Sequence, residues 1–282
     1  MNAFKLKILG RLLVMGSMAT LAAVAVHSCK KEATQTRPNR SWVLAWSDEF
    51  NGAAGTAPNA AKWTYDIGTG TNGWGNAELQ YYTSRPQNVS LDGNGNLVIT
   101  ARQESFAGSG FTSARIKTEG LFAQKYGRIE ARIRTPYGPG IWPAFWMLGQ
   151  NFATQGWPAC GEIDIMEQRG QQPYKTHGSV HGPGYSGGAS ISKSYALSNG
   201  RFDTGFYVYA VEWGPDYIDF FVDDVWYQRI TPADVTGPWV FDQPFFLILN
   251  IAVGGNFVGF PTTGTPFPQR MLVDYVRVYQ QQ

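Results

Sequence analysis

The chain has 282 residues and a formal charge of +2, from 23 Lys+Arg against 21 Asp+Glu, and its aromatic (15%) and charged (16%) fractions are nearly equal. With Gly 33 and Pro 16, this composition suits a loop-rich β protein that binds something flat and uncharged, and excludes a disordered or nucleic-acid-binding chain. Two cysteines cannot staple a scaffold of this size, so stability must come from a buried core.

In chain order, residues 1–28 read as an export signal: Lys5, Lys7 and Arg11 form a positive n-region, and Leu12 to Val26 is apolar and small. A transmembrane anchor is the competing reading, weakened by Gly16, Ser17 and Thr20. Ser28-Cys29 resembles the lipobox of bacterial lipoproteins, which implies a lipidated N-terminal Cys29 followed by a tether over residues 29–40. The expected location is then the bacterial cell envelope, as an outer-membrane or surface lipoprotein; without lipidation it is secretion. Without the three basic residues of the signal, 20 basic face 21 acidic residues, a mature charge of −1. Cys160 is left as a buried, inert thiol with no intrachain disulfide partner.

Residues 41–282 read as one β domain with no internal boundary. Ala53 to Ala61 is Ala-rich, but Gly55 and Pro58 make it a loop. Val89 and Leu91, then Asp92-Gly93-Asn94-Gly95, then Leu97-Val98-Ile99 predict a hairpin. Ile129 to Ile133, Phe206 to Trp213, Tyr217 to Val222, Val225 to Ile230, Phe245 to Ile251 and Met271 to Tyr279 are further strand-like runs. Many short strands without a repeat imply an all-β sandwich or barrel.

The chemistry concentrates in Glu162-Ile163-Asp164-Ile165-Met166-Glu167. On a helix, Glu162 and Glu167 would fall on different faces; on a regular strand, Glu167 would oppose Glu162 and Asp164. A β-bulge at Ile165-Met166 returns all three carboxyls to one side. Like charges so close raise one another's proton affinity, so the cluster must catalyse, hold a metal such as calcium, or be a solvated edge. Catalysis has a specific form here: two carboxyl groups, one nucleophile and one acid/base, hydrolyse a glycosidic bond with retention.

The segment matches the Glu-x-Asp-x-x-Glu pattern of family-16 glycoside hydrolases. The resemblance extends through Trp46-Ser47-Asp48-Glu49-Phe50-Asn51-Gly52, Glu78-Leu79-Gln80-Tyr81-Tyr82-Thr83, Thr112-Ser113-Ala114-Arg115-Ile116, Trp142-Pro143-Ala144-Phe145-Trp146 and Val273-Asp274-Tyr275-Val276-Arg277. It implies a β-jelly-roll sandwich of two antiparallel sheets with a concave cleft for a polysaccharide. It also implies that Glu162 is the nucleophile, Glu167 the general acid/base and Asp164 their assistant, with no cofactor for catalysis. The extra Met166 is similar to the laminarinase-containing branch.

Alternation puts Trp142, Ala144 and Trp146 on one face, core or cleft by sequence alone and cleft by the resemblance. Trp74 and Trp157 lie in Gly- and Pro-rich loops, either as cleft rims or as simple packing. His177 and His181 share a face without a third close ligand, which argues against zinc. His177 is expected to be an ordinary hydrogen-bonded imidazole, and the resemblance places His181 near the leaving-group subsite. Asn76 and Arg115 are candidates for hydroxyl contacts, against a turn Asn and a sheet-edge Arg. Asp274, amid apolar residues of the last strand, matches a structural calcium ligand of the family, against an edge-strand charge.

The resulting expectation is a monomeric, retaining endo-β-glucanase for β-1,3-glucans such as laminarin, held to a membrane by lipid on Cys29. The competing expectations are a family-16 hydrolase of a mixed-linkage β-glucan or a marine galactan, and a glucan-binding lectin on the same fold. Both Glu162 and Glu167 are present, which weighs against the lectin.

Overall fold

The computed structural model describes residues 40–282; the export signal, Cys29 and the tether before Arg40 lie outside them. Residues Asn39–Gln282 form one compact unit. Its strands are β1 (Trp42–Asp48), β2 (Thr64–Asp66), β3 (Gln80–Tyr82), β4 (Val89–Leu91), β5 (Leu97–Phe106), β6 (Ser109–Ser113), β7 (Arg115–Lys117), β8 (Gly127–Arg134) and β9 (Ile141–Gly149). After the one-turn helix α1 (Phe152–Gln155) come β10 (Glu162–Glu167), β11 (Lys175–His181), β12 (Ile191–Ala196), β13 (Tyr207–Gly214), β14 (Tyr217–Val222), β15 (Val225–Ile230), β16 (Phe245–Val253) and β17 (Gln269–Gln281). Among the described residues no helix is long and apolar enough to cross a membrane.

Two sheets face each other. The back sheet runs β15-β14-β13-β8-β17-β5-β6-β3, with β1 paired to β17 and β4 to β5; the other runs β12-β11-β10-β9-β16-β7-β2. Local chemistry explains the elements. In the hairpin between β4 and β5, the Asp92 carboxylate accepts from the amides of Asn94 (2.8 Å) and Asn96 (3.0 Å), while Gly93 and Gly95 take left-handed φ angles of 79° and 84°. In β8, Ile129, Ala131 and Ile133 enter the core between outward Arg128, Glu130 and Arg132. Every residue of β16 is buried, as its continuous apolar run requires of a strand covered on both faces.

The main core lies between the sheets and takes Ile163, Ile165 and Met166 from β10. A smaller apolar cluster of Leu148, Cys160, Phe246 and Ile248 packs beneath Trp146. Cys160 is a free, buried thiol whose pKa burial raises to about 11, with Glu162 adding to the shift.

Asp274 lies on β17, paired with Arg132 of β8. Its Oδ2 lies 2.5 Å from Arg132 Nη1, which gives the carboxylate a cationic partner across the strands. Among the described residues it joins no trio of ligating side chains, so a calcium here would depend on backbone carbonyls beside the Asp274 carboxylate.

Candidate active site

Strand β10 lies between β9 and β11. Glu162 pairs with Leu148 and His181, Asp164 with Trp146 and Ser179, and Glu167 with Ala144 and His177. The register slips between Asp164 and Glu167 on both sides, where the carboxyl spacing predicts a bulge. Ile165 and Met166 are both buried in the core, and the three carboxyls share the opposite face, over the outer side of the sheet.

The same face carries a polar row across the whole sheet. Asp66, Arg115, Asn250, Ala144, Glu167, His177 and Ser194 are successive cross-strand partners from β2 to β12. Trp142 Nε1 donates to Glu167 Oε1 at 2.9 Å, and Trp146 Nε1 donates to Asn250 Oδ1 at 2.7 Å. Both indoles therefore lie on the carboxylate side. The Arg115 guanidinium is sandwiched between Trp74 (4.8 Å) and Trp146 (4.6 Å), and its Nε is 2.8 Å from Asp66 Oδ2.

His181 meets the carboxyls directly, with Nε2 3.1 Å from Asp164 Oδ2 and 3.6 Å from Glu162 Oε1. Its Nδ1 accepts from the Gly187 amide at 3.0 Å, which leaves the proton of the neutral ring on Nε2. Glu162, Asp164 and His181 offer ligand atoms within 4.8 Å of one another, a spacing that suits a metal. The tautomer opposes it, because a metal on Nε2 would have to displace that proton. Trp157, nearly half exposed, approaches His181 with ring centroids 6.0 Å apart.

This geometry narrows the comparison with known proteins. Residues 76–276 match the family model for "Glycosyl hydrolases family 16". The chain belongs to glycoside hydrolase family 16. It is 45% identical over 249 residues to a beta-glucanase of Rhodothermus marinus, covering 85% of each chain. The laminarinase catalytic domain of Thermotoga maritima is similar in structure, with a TM-score of 0.80 and 47% identity, covering 86% of this chain and 99% of that one. The endo-beta-1,3-glucanase of Pyrococcus furiosus matches at a TM-score of 0.81 and 46% identity, over 86% and 96% of the two chains. The two-sheet architecture is thus the jelly roll of this family.

In this glycoside hydrolase the carboxyls hold protons tightly. Burial pushes Asp164 up to about 8, against a hydrogen bond with Glu162 that pulls it down. Glu162 is raised by burial and by Asp164, and eased by His181. The two carboxyls are coupled: each makes the other's charge harder to bear, and the hydrogen bond between them offsets part of the rise at Asp164. Glu167 is raised to about 8 by burial and then by Asp164, with His181, the Trp142 N–H and Arg169 opposing the rise.

The other expectations fare differently. Asn76, in the Gly73–Ala77 turn, directs its side chain to Glu78, and its carbonyl accepts from the Asn256 amide at 2.8 Å. His177 is not the satisfied imidazole expected: its ring stands edge-on to Phe257, and among the described residues its buried Nε2 has no hydrogen-bond partner. Burial, with Arg169 and Lys175, lowers its pKa to about 4, so it is neutral.

Sequence reasoning missed three supports. Asn250 holds Trp146 and donates to Tyr82 Oη at 3.1 Å, and Tyr82 in turn donates to Glu78 Oε2 at 3.2 Å. Asp66 anchors Arg115. Phe257 packs on Trp142 (5.1 Å) and lies under the Arg169 guanidinium (4.3 Å). The alternation of Glu78, Gln80 and Tyr82, polar groups at period two, was the one available signal for the first.

Proposed function

We propose that the protein is a retaining endo-β-1,3-glucanase acting on laminarin-type β-glucans. The observation that carries the mechanism is the register slip in β10, which sets Glu162 and Glu167 on one face with Trp142 bonded to Glu167. In the first step the Glu162 carboxylate attacks the anomeric carbon while Glu167 gives its proton to the glycosidic oxygen; that C–O bond breaks and the aglycone leaves. In the second, Glu167 takes a proton from water, the oxygen attacks the same carbon, and the bond to Glu162 breaks. Two inversions give net retention.

Asp164, pushed up to about 8 by burial and hydrogen-bonded to Glu162, is the partner that orients the nucleophile. Trp142 and Trp146 offer apolar ring faces to pyranoses, with Arg115, held flat between two indoles, as the adjacent hydroxyl donor. His181 and Trp157 border the carboxyls at the far end of β10 from Trp142.

The test is the anomeric configuration of the first-formed product on laminarin, followed by NMR, with lichenan, curdlan, agarose and carrageenan compared for rate. An inverted product overturns the mechanism, and faster cleavage of a galactan overturns the substrate. Lipid on Cys29, and with it an envelope location, is part of the same reading; labelling by radioactive palmitate is expected in the intact chain and absent in Cys29→Ser.

A further inference from the structure

The outer face of the back sheet carries an open hollow of about 280 Å³ that the glycosidase reaction does not use. A second hollow adjoins it through the shared residues Asp92, Val98 and Arg270. Together they form a groove across β8, β17, β5 and β4, floored by Leu272 and Val98, which are cross-strand partners.

Three guanidiniums line this groove. Arg270 is exposed and, among the described residues, makes no ion pair. Arg134 lies over the Phe206 ring at 5.6 Å and, among the described residues, makes no ion pair. Arg102 makes a loose ion pair with Glu104 at 3.8 Å, and among the described residues its Nε has no hydrogen-bond partner. Of the two carboxylates present, one is charge-compensated and one is held by neutral groups. Asp203 is held by Arg201 in a bidentate pair at 2.8 and 2.9 Å, and Asp92 is held by Asn94 and Asn96. Neutral amides leave the Asp92 charge in place, and Arg134 and Arg270 together outweigh it, so the groove keeps a net positive charge, with fork-shaped donors suited to a tetrahedral oxyanion.

The fold also fixes which way this groove faces. Arg40, the first described residue, donates to Glu212 at 2.7 Å and stacks on Tyr217 at 4.1 Å, on the outer face of β13 and β14. Strand β1 then pairs Trp42 with Gln281, at the opposite end of β17 from Arg270. The chain thus enters the domain on the groove's own face, about 36 Å away along β17, with the carboxylate cleft on the other sheet.

We propose that the Arg102, Arg134 and Arg270 groove binds the phosphate headgroups of an anionic lipid surface. The back sheet would then lie along the bilayer and the cleft would face outward. The proposal rests on the lipid-anchor reading for its choice of a membrane as the source of phosphate. Charge complementarity selects a polyanion, and the shared face with the chain's entry into the domain selects a membrane as its source.

The test uses residues 39–282, an extent that corresponds to the separately crystallised catalytic domain of the Thermotoga maritima relative. The unlipidated domain is expected to float with phosphatidylglycerol-containing vesicles at low salt and not with phosphatidylcholine alone. An Arg134→Gln/Arg270→Gln variant should lose about thirty-fold in partitioning, from ~1 kcal/mol per basic residue, while hydrolysing soluble laminarin normally. Absence of flotation, equal flotation of the variant, release by millimolar inorganic phosphate, or stronger retention by a sulfated glycan than by the vesicles would each overturn it. Palmitate labelling of Cys29 in the intact chain reports on the anchor separately, and product stereochemistry reports on the reaction.

Discussion

Glu167 keeps its proton because it is buried beside Asp164, and the Trp142 N–H limits how far its pKa rises. Removing that donor while keeping a flat ring, as in Trp142→Phe, withdraws a bond that favours the charged form. Glu167 then becomes harder to ionise, and the alkaline limb of kcat/KM should move to higher pH with a several-fold loss in kcat, read from pH–rate profiles. A profile unmoved by the substitution would show that the bond does not tune the acid. Glu162→Ala and Glu167→Ala should each lower laminarin hydrolysis by at least ~10³-fold while oligosaccharide binding stays measurable by calorimetry. With Glu167→Gln, an aryl glycoside whose leaving group needs no proton should still release its phenol in a burst, because Glu162 remains to form the glycosyl intermediate.

Strand β10 shows how far sequence reasoning reaches at the level of an element. The bulge was legible by counting, since three carboxyls at positions 162, 164 and 167 share a face only if one residue is added, and both Ile165 and Met166 are apolar enough to enter the core. The strands built on alternation, from Ile129 to Ile133 through to Met271 to Tyr279, were legible for the same reason. The row from Asp66 through Arg115 and Asn250 to Glu167 was not, because it depends on registers between strands far apart in sequence, which no periodicity encodes. The partner of Asp274 was hidden for a related reason: Arg132 sits on β8, and only the pairing of β8 with β17 brings them together. The bulge also makes a stability prediction. Met166→Ala leaves a cavity under the catalytic strand and should cost about 2–4 kcal/mol in denaturant unfolding, with activity falling alongside. A loss well under 1 kcal/mol would mean that the bulge is not held by its core side chain.

For the whole molecule, the carboxyl cluster sets the sign of the pH dependence of stability. Asp164 and Glu167 titrate near 8 when folded and near 4 when unfolded, so the folded state binds more protons throughout that window. Their contribution is favourable below the unfolded value and declines as pH rises toward the folded one. The melting temperature of the parent enzyme should therefore fall between pH 5 and 8 relative to that of Asp164→Asn, which stays neutral across the range. The variant should be the more stable enzyme at pH 8 and the poorer catalyst. Parallel melting curves for the two proteins would show that the carboxyls are solvated after all.

The bond from the Trp142 indole to Glu167 has a practical side. An indole N–H that donates to a carboxyl changes its proton resonance when that carboxyl ionises, so one well-placed tryptophan signal follows the acid/base through its titration. A nitrogen-labelled sample observed during turnover would report the charge on Glu167 in each intermediate, without any probe being attached near the cleft.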